Sequence, residues 1–282
     1  MSTPTQLKQR LEAAIAERFG VTLTADAGLP GLEELARMAE HRSHRRFDRH
    51  PIDPGLLKLL LACAFSAPSK SDLQQAEVIQ VTDRGRRKAI VDTIPDMPWI
   101  MDAPVFLVFC GNNLRIRQIG EWRGKPFANE HLDHFMNAAV DAALVMMSFI
   151  RATESVGLGT CPISHVRNHA DVTSRVLELP EGVFPVAGLC VGYPAEPGRI
   201  TPRLPLEVTV HVDHHDESGL EEKIETYDRR RHDLLPYRKQ RDAGRYGTVE
   251  LYGWSEDKAR QCSVPEREDF GAFIRRQGFS LK

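Results

Sequence analysis

The hydrophobic pattern of the chain begins with one amphipathic helix. Leu7, Leu11, Ile15 and Phe19 recur at helical spacing, which places them on one face, and Gly20 predicts where the helix ends. The next segment, TLTADAGLPG, is rich in glycine and small polar residues and is predicted to be a linker. We therefore expect residues 1–30 to form a helical extension.

Buried elements are predicted in the segments that follow. Asp53 is a suitable N-cap for a helix that begins at Pro54 and is apolar nearly all round, so this helix is predicted to be buried. EVIQVT and PVFLVFCG are predicted strands. The second strand is apolar on both faces, which indicates a sheet that is covered on both sides.

The longest helical pattern runs from about Asp133 to Val156 and is rich in alanine and methionine. This composition is typical of a central core helix or of a helix packed against a symmetry mate. GLGTCPISHVRN after it predicts a turn, whereas FPVAGLCVGYP and LEVTVHVD predict strands. A charged helix, a basic loop and a short amphipathic helix follow. Helices that alternate with strands predict one α/β or α+β domain.

Composition narrows the possible partners and compartment. The 282 residues carry a formal net charge of −2, so no chain-wide field favours nucleic acid or an anionic membrane, and we expect neither as a partner. The five cysteines are scattered without a CxxC pair, and most lie in apolar surroundings typical of buried free thiols. The N-terminal residues lack a continuous apolar segment. We expect a cytoplasmic protein.

The segment HRSHRRF, His41 to Phe47, is the strongest local concentration of positive charge. Arginine forks bind phosphate bidentately and a serine hydroxyl adds a donor, so Arg42, Ser43 and Arg45 are candidate anion ligands. The alternative is a solvated basic helix end, where cations also suit the helix dipole. The later segment APSKSDLQQ offers hydroxyls and amides to a polar ligand, but such residues are common in any turn.

A metal site is the weaker interpretation of HVDHHDE. A strand would place His211, Asp213 and His215 on one face, although a solvated edge strand has the same pattern. Cys161 and His165 lie close together in sequence, but nothing positions a third group for a catalytic thiolate. Neither GxGxxG nor GxxxxGKS is present. We predict no metal ligand and no Rossmann or P-loop nucleotide site.

Taken in order, several segments resemble the flavin-dependent nitroreductase superfamily. They are HRSHRRF, APSKSDLQ, ESVGLGTCPISHVRN, FPVAGLCVGYPAE, TPRLP and FIRRQGFSLK, and the likeness extends over about residues 32–282. The closest likeness is to the NADPH-dependent oxygen-insensitive nitroreductase and FMN reductase group. The resemblance implies an α+β fold with a central, mostly antiparallel sheet flanked by helices. It further implies an intertwined homodimer with FMN bound at the interface.

The same resemblance implies the domain limits. Residues 31–282 would form the FMN-binding domain, in which residues from about 218 onward supply an NADPH loop and a C-terminal arm. One set of FMN-binding positions would surround the phosphate and the ribityl chain, with a second arginine arm on the phosphate. Other positions would lie in a loop that contacts the flavin and in the turn beside the isoalloxazine ring. Together, these positions are His41, Arg42, Ser43, His44, Arg45, Ser69, Ser71, Gln74, Pro162, Ile163, Ser164, His165 and Arg203.

Several positions depart from the family pattern. Thr201 stands where relatives often have lysine, Met97 where they have glutamine, and Asp72 where the broader family has asparagine. Ser164 and His165 replace a pair of glycines. Because these changes alter the polar edge and the room above the flavin, they bear on the choice of substrate more than on the cofactor.

The resemblance also implies the reaction. NADPH, or NADH, would reduce FMN, and a nitroaromatic, a quinone or free flavin would then be reduced in a ping-pong cycle. Because the cofactor carries the chemistry, we predict no catalytic acid or base. The basic loop would bind the 2′-phosphate of NADPH through Arg238, Arg241 and Arg245. The alternatives are a flavoenzyme specialised for dehalogenation, enoate reduction or flavin breakdown, and a non-enzymatic flavin-binding sensor.

Overall fold

The computed structural model describes residues 2–282 and contains helices, short 3-10 turns and one β-sheet. The helices are α1 (Pro4–Phe19), α2 (Leu32–Ala39), α3 (Pro54–Ala64), α4 (Arg84–Val91), α5 (Leu114–Trp122), α6 (Leu132–Ser155), α7 (Ala170–Val176), α8 (Leu206–Thr209), α9 (Leu220–Leu234), α10 (Ala243–Tyr246), α11 (Trp254–Cys262) and α12 (Phe270–Arg276). The strands are β1 (Ala76–Gln80), β2 (Val105–Asn112), β3 (Gly159–Ile163) and β4 (Val183–Gly192).

The chain divides into two compact units. The sheet unit comprises residues 43–198 and 266–282, and the helical unit comprises residues 2–42 and 199–265. The helical unit thus combines two segments that are far apart in the sequence. The first segment contains α1 and α2, and the second contains α8 to α11. The division into an extension of residues 1–30 and a flavin domain of residues 31–282 stays a prediction.

The sheet is antiparallel throughout, in the order β1-β2-β4-β3. Its central strand β2 is buried at every position, which confirms the prediction from its two apolar faces. β2 pairs with β4 in a register that shifts between Phe109 and Cys110. Helices and 3-10 turns cover the sheet, so the α+β class predicted for the chain is confirmed.

The predicted turn after α6 is wrong, because part of that segment is strand β3. β3 lies at the edge of the sheet, and β4 is its one partner among the four strands, with Pro162 opposite Leu189. Proline lacks the N–H that an inner strand would need, but an edge strand can accommodate it. A 3-10 turn, Ser164–Arg167, continues the chain from β3.

The strand predicted for LEVTVHVD is also wrong. Pro205 precedes one helical turn, α8, and Val210 and Val212 are exposed, with Val212 77% accessible. Alternating valines form a strand only where a partner strand completes their hydrogen bonds, and the sheet ends at β1 and β3 instead.

Two apolar helices pack with one face each against the core. α6 buries Ala138, Ala142, Val145 and Phe149 and exposes the opposite face, where Met136 is 60% accessible. Among the described residues α6 is also the one helix long and apolar enough to cross a membrane, a test that a core helix can pass. The predicted burial of α3 is correct for Leu57, Leu60 and Ala64 but wrong for Leu59.

The first helix follows its sequence signals closely. Thr3 caps α1 through a capping box with Gln6, and Gly20 ends the helix with a φ of 74°. α1 buries Leu11, which packs with Leu32 and Ala36 of α2 in a small hydrophobic cluster. Helix α11, by contrast, was not predicted from the sequence, because its mixed polar composition hides the face that packs beside α9.

Candidate flavin site

The basic motif HRSHRRF begins after α2 has ended. Ser43 forms a parallel bridge with Thr160 of β3, and the His44 N–H donates to the Thr160 carbonyl over 2.9 Å. The His44 ring packs on Gly159, where an added Cβ would lie 2.7 Å from His44 Cδ2. The second half of the motif is therefore extended backbone beside the sheet edge rather than a solvated helix end.

The arginines of the motif have different surroundings. In the helical unit, Arg42 Nε is buried without a hydrogen-bond partner among residues 2–282. In the sheet unit, Arg45 is exposed and its charge opposes the burial that raises the pKa of the Cys161 thiol. Arg46 pairs with Glu196 at 3.4 Å on the surface. Because a buried guanidinium N–H without an acceptor is costly, Arg42 suits an anionic ligand.

A buried aspartate of α6 fixes the predicted flavin loop through hydrogen bonds. Ser69 Oγ donates to Asp141 Oδ2 over 2.7 Å and accepts the Gln74 N–H over 2.7 Å. The N–H groups of Lys70 and Gln75 also donate to Asp141, each over 3.0 Å. The Ser69 hydroxyl is thus engaged within the protein, and its hydrogen bonds set the shape of the loop.

The exposed part of this loop has unusual backbone geometry. Ser71, Asp72 and Gln74 have φ values of 51°, 58° and 50°, in the left-handed region that residues with a Cβ rarely adopt. Gln74 Nε2 donates to Asp72 Oδ1 over 3.0 Å, so Asp72 helps to order the loop. Such strain persists where surrounding contacts determine it, and it is concentrated at functional sites.

The turn after β3 presents a mixture of exposed and buried groups. Pro162 is exposed, Ser164 and His165 are half-buried, and Ile163 is only 1% accessible. The Ile163 side chain belongs to the core, so only its backbone is available to a ligand. Thr160 Oγ1 of β3, shortly before this turn, is buried without a hydrogen-bond partner in the described chain.

Arg203 lies in the helical unit next to a residue that the sequence analysis missed. The Arg203 N–H donates to the Arg18 carbonyl over 2.8 Å, and Arg203 Nη1 donates to Thr201 Oγ1 over 2.6 Å. Arg18 Nη2 in turn donates to the His41 carbonyl over 2.6 Å. A signal for Arg18 was present, because its helical spacing from Leu11 places a charged residue on the buried face of α1.

The three arginines predicted to recognise NADPH are exposed in and beside a loop of the helical unit. Arg241 Nε lies 3.4 Å from Asp257 Oδ1, whereas Arg245 lies over the Tyr246 ring at 5.0 Å. Arg238 forms no ion pair within residues 2–282. No carboxylate of the described chain therefore competes with a phosphate for Arg238 or Arg245, whereas Asp257 competes for Arg241.

Arg260 is another residue that sequence reasoning missed. Its guanidinium is 3% accessible and donates through Nη1 to the carbonyls of Arg241 and Gly247, over 2.8 and 2.9 Å. Nε donates to Glu256 Oε1 over 2.7 Å. Since Arg241 and Gly247 flank α10, Arg260 fixes both ends of the segment that carries Arg245.

The remaining chemical candidates do not form a site. Within residues 2–282, no group of three or more His, Cys, Asp and Glu side chains could hold a metal ion. The His211 and His215 rings lie 4.6 Å apart, tilted by 59° to each other. Burial raises the pKa of the Cys161 thiol, which disfavours a thiolate there. Cys63, expected to be buried, is exposed because it lies on the outer face of α3.

Two protein-family models match this chain, and together they cover most of its length. The model for the "Nitroreductase family" matches residues 38–193, and the model for the "Nitroreductase family, C-terminal domain" matches residues 201–282. The fold is that of nitroreductase-like α+β proteins. The chain belongs to the nitroreductase family, which confirms the resemblance of its motifs. Helix α1 lies before both matched regions.

Individual relatives match over most of their length. FMN reductase (NAD(P)H) of Bacillus subtilis strain 168 is 32% identical over 253 residues, which are 89% of this chain and 99% of that protein. The oxygen-insensitive NADPH nitroreductase of Salmonella typhimurium is 35% identical over 185 residues, 65% of this chain and 74% of that protein. The solved structure of B. megaterium NfrA2 superposes with a TM-score of 0.80 at 28% identity, covering 88% and 98% of the two chains.

Proposed function

We propose that this protein is an FMN-dependent NAD(P)H oxidoreductase that reduces nitroaromatics, quinones or free flavin. Family membership and a relative named FMN reductase support the class of reaction. The observation that carries the proposal is the buried Arg42 Nε, which has no acceptor within residues 2–282 and stands in the motif that the resemblance assigns to the FMN phosphate. A bound phosphate would supply the missing acceptor.

The phosphate of FMN would be held by arginine and serine donors. In the helical unit these are Arg42 and Arg203, and in the sheet unit they are Ser43 and Arg45. A hydrogen bond to a charged group contributes about 1.5–3 kcal/mol, so a few such contacts suffice for stable non-covalent binding. His41 and His44 border these donors in sequence.

The flavin ring would lie against backbone rather than against an acid or base. Ser69 and Asp141 keep the strained loop in place, and Ser71 and Gln74 are exposed on it. Pro162, Ile163, Ser164 and His165 would border the ring on the other side. The chemistry that bound FMN would supply is hydride transfer between the nicotinamide and the second substrate. The protein's part is to bind and orient both partners.

The reductant is proposed to be NADPH in preference to NADH. Arg238 and Arg245 are exposed without a carboxylate partner in the described chain, and Arg241 adds charge beside them. Guanidinium groups suit the 2′-phosphate that distinguishes NADPH from NADH. The relative from Salmonella typhimurium is named for NADPH.

We further propose a cytoplasmic homodimer with residues 1–30 as a helical extension. The support for the dimer is the exposed apolar face of α6, formed by Met136, Val140, Leu144 and Met147. Such a continuous face is unfavourable in water unless another surface covers it. A second copy of the chain would cover it with the same residues.

The absorption spectrum of the purified protein tests the proposed function. We expect a yellow protein that oxidises NADPH when a nitrofuran or a quinone is present. A colourless protein that still fails to oxidise NADPH after addition of FMN would contradict the proposal. Comparison of NADPH with NADH in the same assay tests the reductant.

A specialised reduction is the second candidate, because Ser164 and His165 are half-buried at positions where the resemblance implies a pair of glycines. These side chains would reduce the room beside a bound flavin ring. Halophenols and activated alkenes should be tested beside nitroaromatics. A strong preference for one of them would replace the broad reductase by a dehalogenase or an enoate reductase.

A further inference from the structure

Helix α1 carries an arginine that is almost completely buried. Arg18 is 6% accessible and lies on the same face as Leu11 and Ala14. Burying a charged group is costly unless its N–H groups find acceptors. The position therefore requires specific partners, and these partners are backbone carbonyls of two distant segments.

The first segment, residues 39–42, leads from the end of α2 into the basic motif. Arg18 Nε and Nη2 donate to the Ala39 carbonyl over 3.1 and 3.0 Å, and Nη2 also donates to the His41 carbonyl over 2.6 Å. Arg42, which has the unsatisfied buried Nε, is the next residue. Arg18 thus fixes the backbone directly before one of the proposed phosphate ligands.

The second segment carries the other arginine arm. Arg18 Nη1 donates to the Thr201 carbonyl over 3.1 Å, and the Arg203 N–H donates back to the Arg18 carbonyl over 2.8 Å. Residues 39–42 and 201–203 are far apart in sequence, yet both are hydrogen-bonded to this single residue. Its planar guanidinium fork has the donors in the geometry that such a bridge needs.

Helix α1 is itself held at the end where Arg18 lies. Arg230 of α9 donates to the carbonyls of Ala16 and Arg18, over 3.1 and 3.3 Å. The helix stops at Gly20, where a Cβ would lie 2.6 Å from Arg230 Nε. Arg18 is therefore fixed from α9, and its position is not left to a free helix end.

We propose that Arg18 is a positioning residue for the flavin phosphate, and that α1 is present to supply it. Arg18 holds the segments of Arg42 and Arg203 in one arrangement before the cofactor binds. This pre-organisation reduces the ordering that phosphate binding would otherwise require. The proposal rests on the proposed function, and it concerns a helix outside the regions that match the family models, residues 38–193 and 201–282.

The comparison of FMN with riboflavin separates this role from general stabilisation, because riboflavin has the same ring and ribityl chain without the phosphate. We would measure the dissociation constants of both for the apoprotein, prepared from wild type and from Arg18→Met and Arg18→Lys. Lys8→Met is the matched control, because Lys8 on the same helix pairs with Glu12 of α1 at 3.8 Å and with neither of the two segments.

We expect Arg18→Met to weaken FMN binding about tenfold or more while riboflavin binding changes less than about twofold. Arg18→Lys should give an intermediate loss, since an ammonium cannot reach carbonyls of both segments as the fork does. Lys8→Met should leave the ratio of the two affinities at the wild-type value.

The proposal is overturned if Arg18→Met and Arg18→Lys keep the wild-type ratio of FMN to riboflavin affinity. If Arg18→Met does not fold, Arg18→Lys decides the question by the same ratio. A wild-type protein that binds neither flavin would instead contradict the proposed function, so the two failures are distinguishable.

Discussion

The Ser69 hydroxyl donates a hydrogen bond to Asp141 Oδ2 over 2.7 Å and so joins the loop after α3 to the middle of α6. Asp141 is 2% accessible, and its other acceptor positions receive the N–H groups of Lys70 and Gln75. Three hydrogen bonds from the loop therefore end on this one buried carboxylate. The relationship explains how a loop with three left-handed residues keeps one conformation.

Replacing Asp141 by asparagine should weaken both the fold and flavin binding. The new NH₂ group would face an N–H or hydroxyl donor, so the free energy of unfolding should fall by about 1.5–3 kcal/mol. Urea unfolding and FMN titration measure the two effects. Asp133→Asn on the exposed start of α6 is the control, and equal FMN affinity in both variants would argue against a role of Asp141 in the loop.

Adjacent arginines in the basic motif offer a matched pair. Arg45→Ala should lower FMN affinity about tenfold or more, because a charged donor to the phosphate is lost. Arg46→Ala removes the same charge from the next position, but Arg46 already pairs with exposed Glu196 and should matter little. FMN fluorescence titration gives both values. Equal losses in the two variants would mean that only overall charge matters.

Removing the buried guanidinium of Arg260 should impair recognition of NADPH. Arg260→Met frees the carbonyls of Arg241 and Gly247, so the segment carrying Arg245 loses its fixed shape. We expect KM for NADPH to rise about tenfold with little change in KM for NADH. Steady-state kinetics with both reductants measure the difference. Arg229→Met, in an exposed pair with Glu225, serves as the control, and a parallel rise for NADH would contradict the interpretation.

Stability should fall in mild acid because of His134. Burial lowers the pKa of His134, and the charges of Arg117 and His131 lower it further, while Asp133 opposes the shift. The unfolded chain therefore binds the proton more readily, so stability is lost as the pH falls below the unfolded pKa of about 6.5. Urea unfolding at several pH values should show a smaller loss for His134→Gln than for wild type. Exposed His214→Gln should behave as wild type does.

Much of the fold was accessible from local pattern. The capping box at Thr3 and the glycine at position 20 specify α1, and two-sided apolarity specifies β2, because each signal acts within a few residues. The family likewise follows from motifs in a fixed order, which the matches at residues 38–193 and 201–282 confirm. The local sequence pattern gave wrong predictions where pairing with a distant strand decides the structure. β3 is a strand because β4 pairs with it, whereas residues 210–212 have no such partner strand.

The sequence by itself determined which side chains are offered to a phosphate and to a nicotinamide, since Arg42, Arg45, Arg203 and the basic loop are visible as motifs. Only the tertiary structure decided what holds them. Arg18, Asp141 and Arg260 act through contacts with residues far away in the chain, and no local pattern encodes such contacts. Hydrogen bonds from a buried charge depend on where the folded backbone places its carbonyls and N–H groups, and that placement exists only after the units have formed.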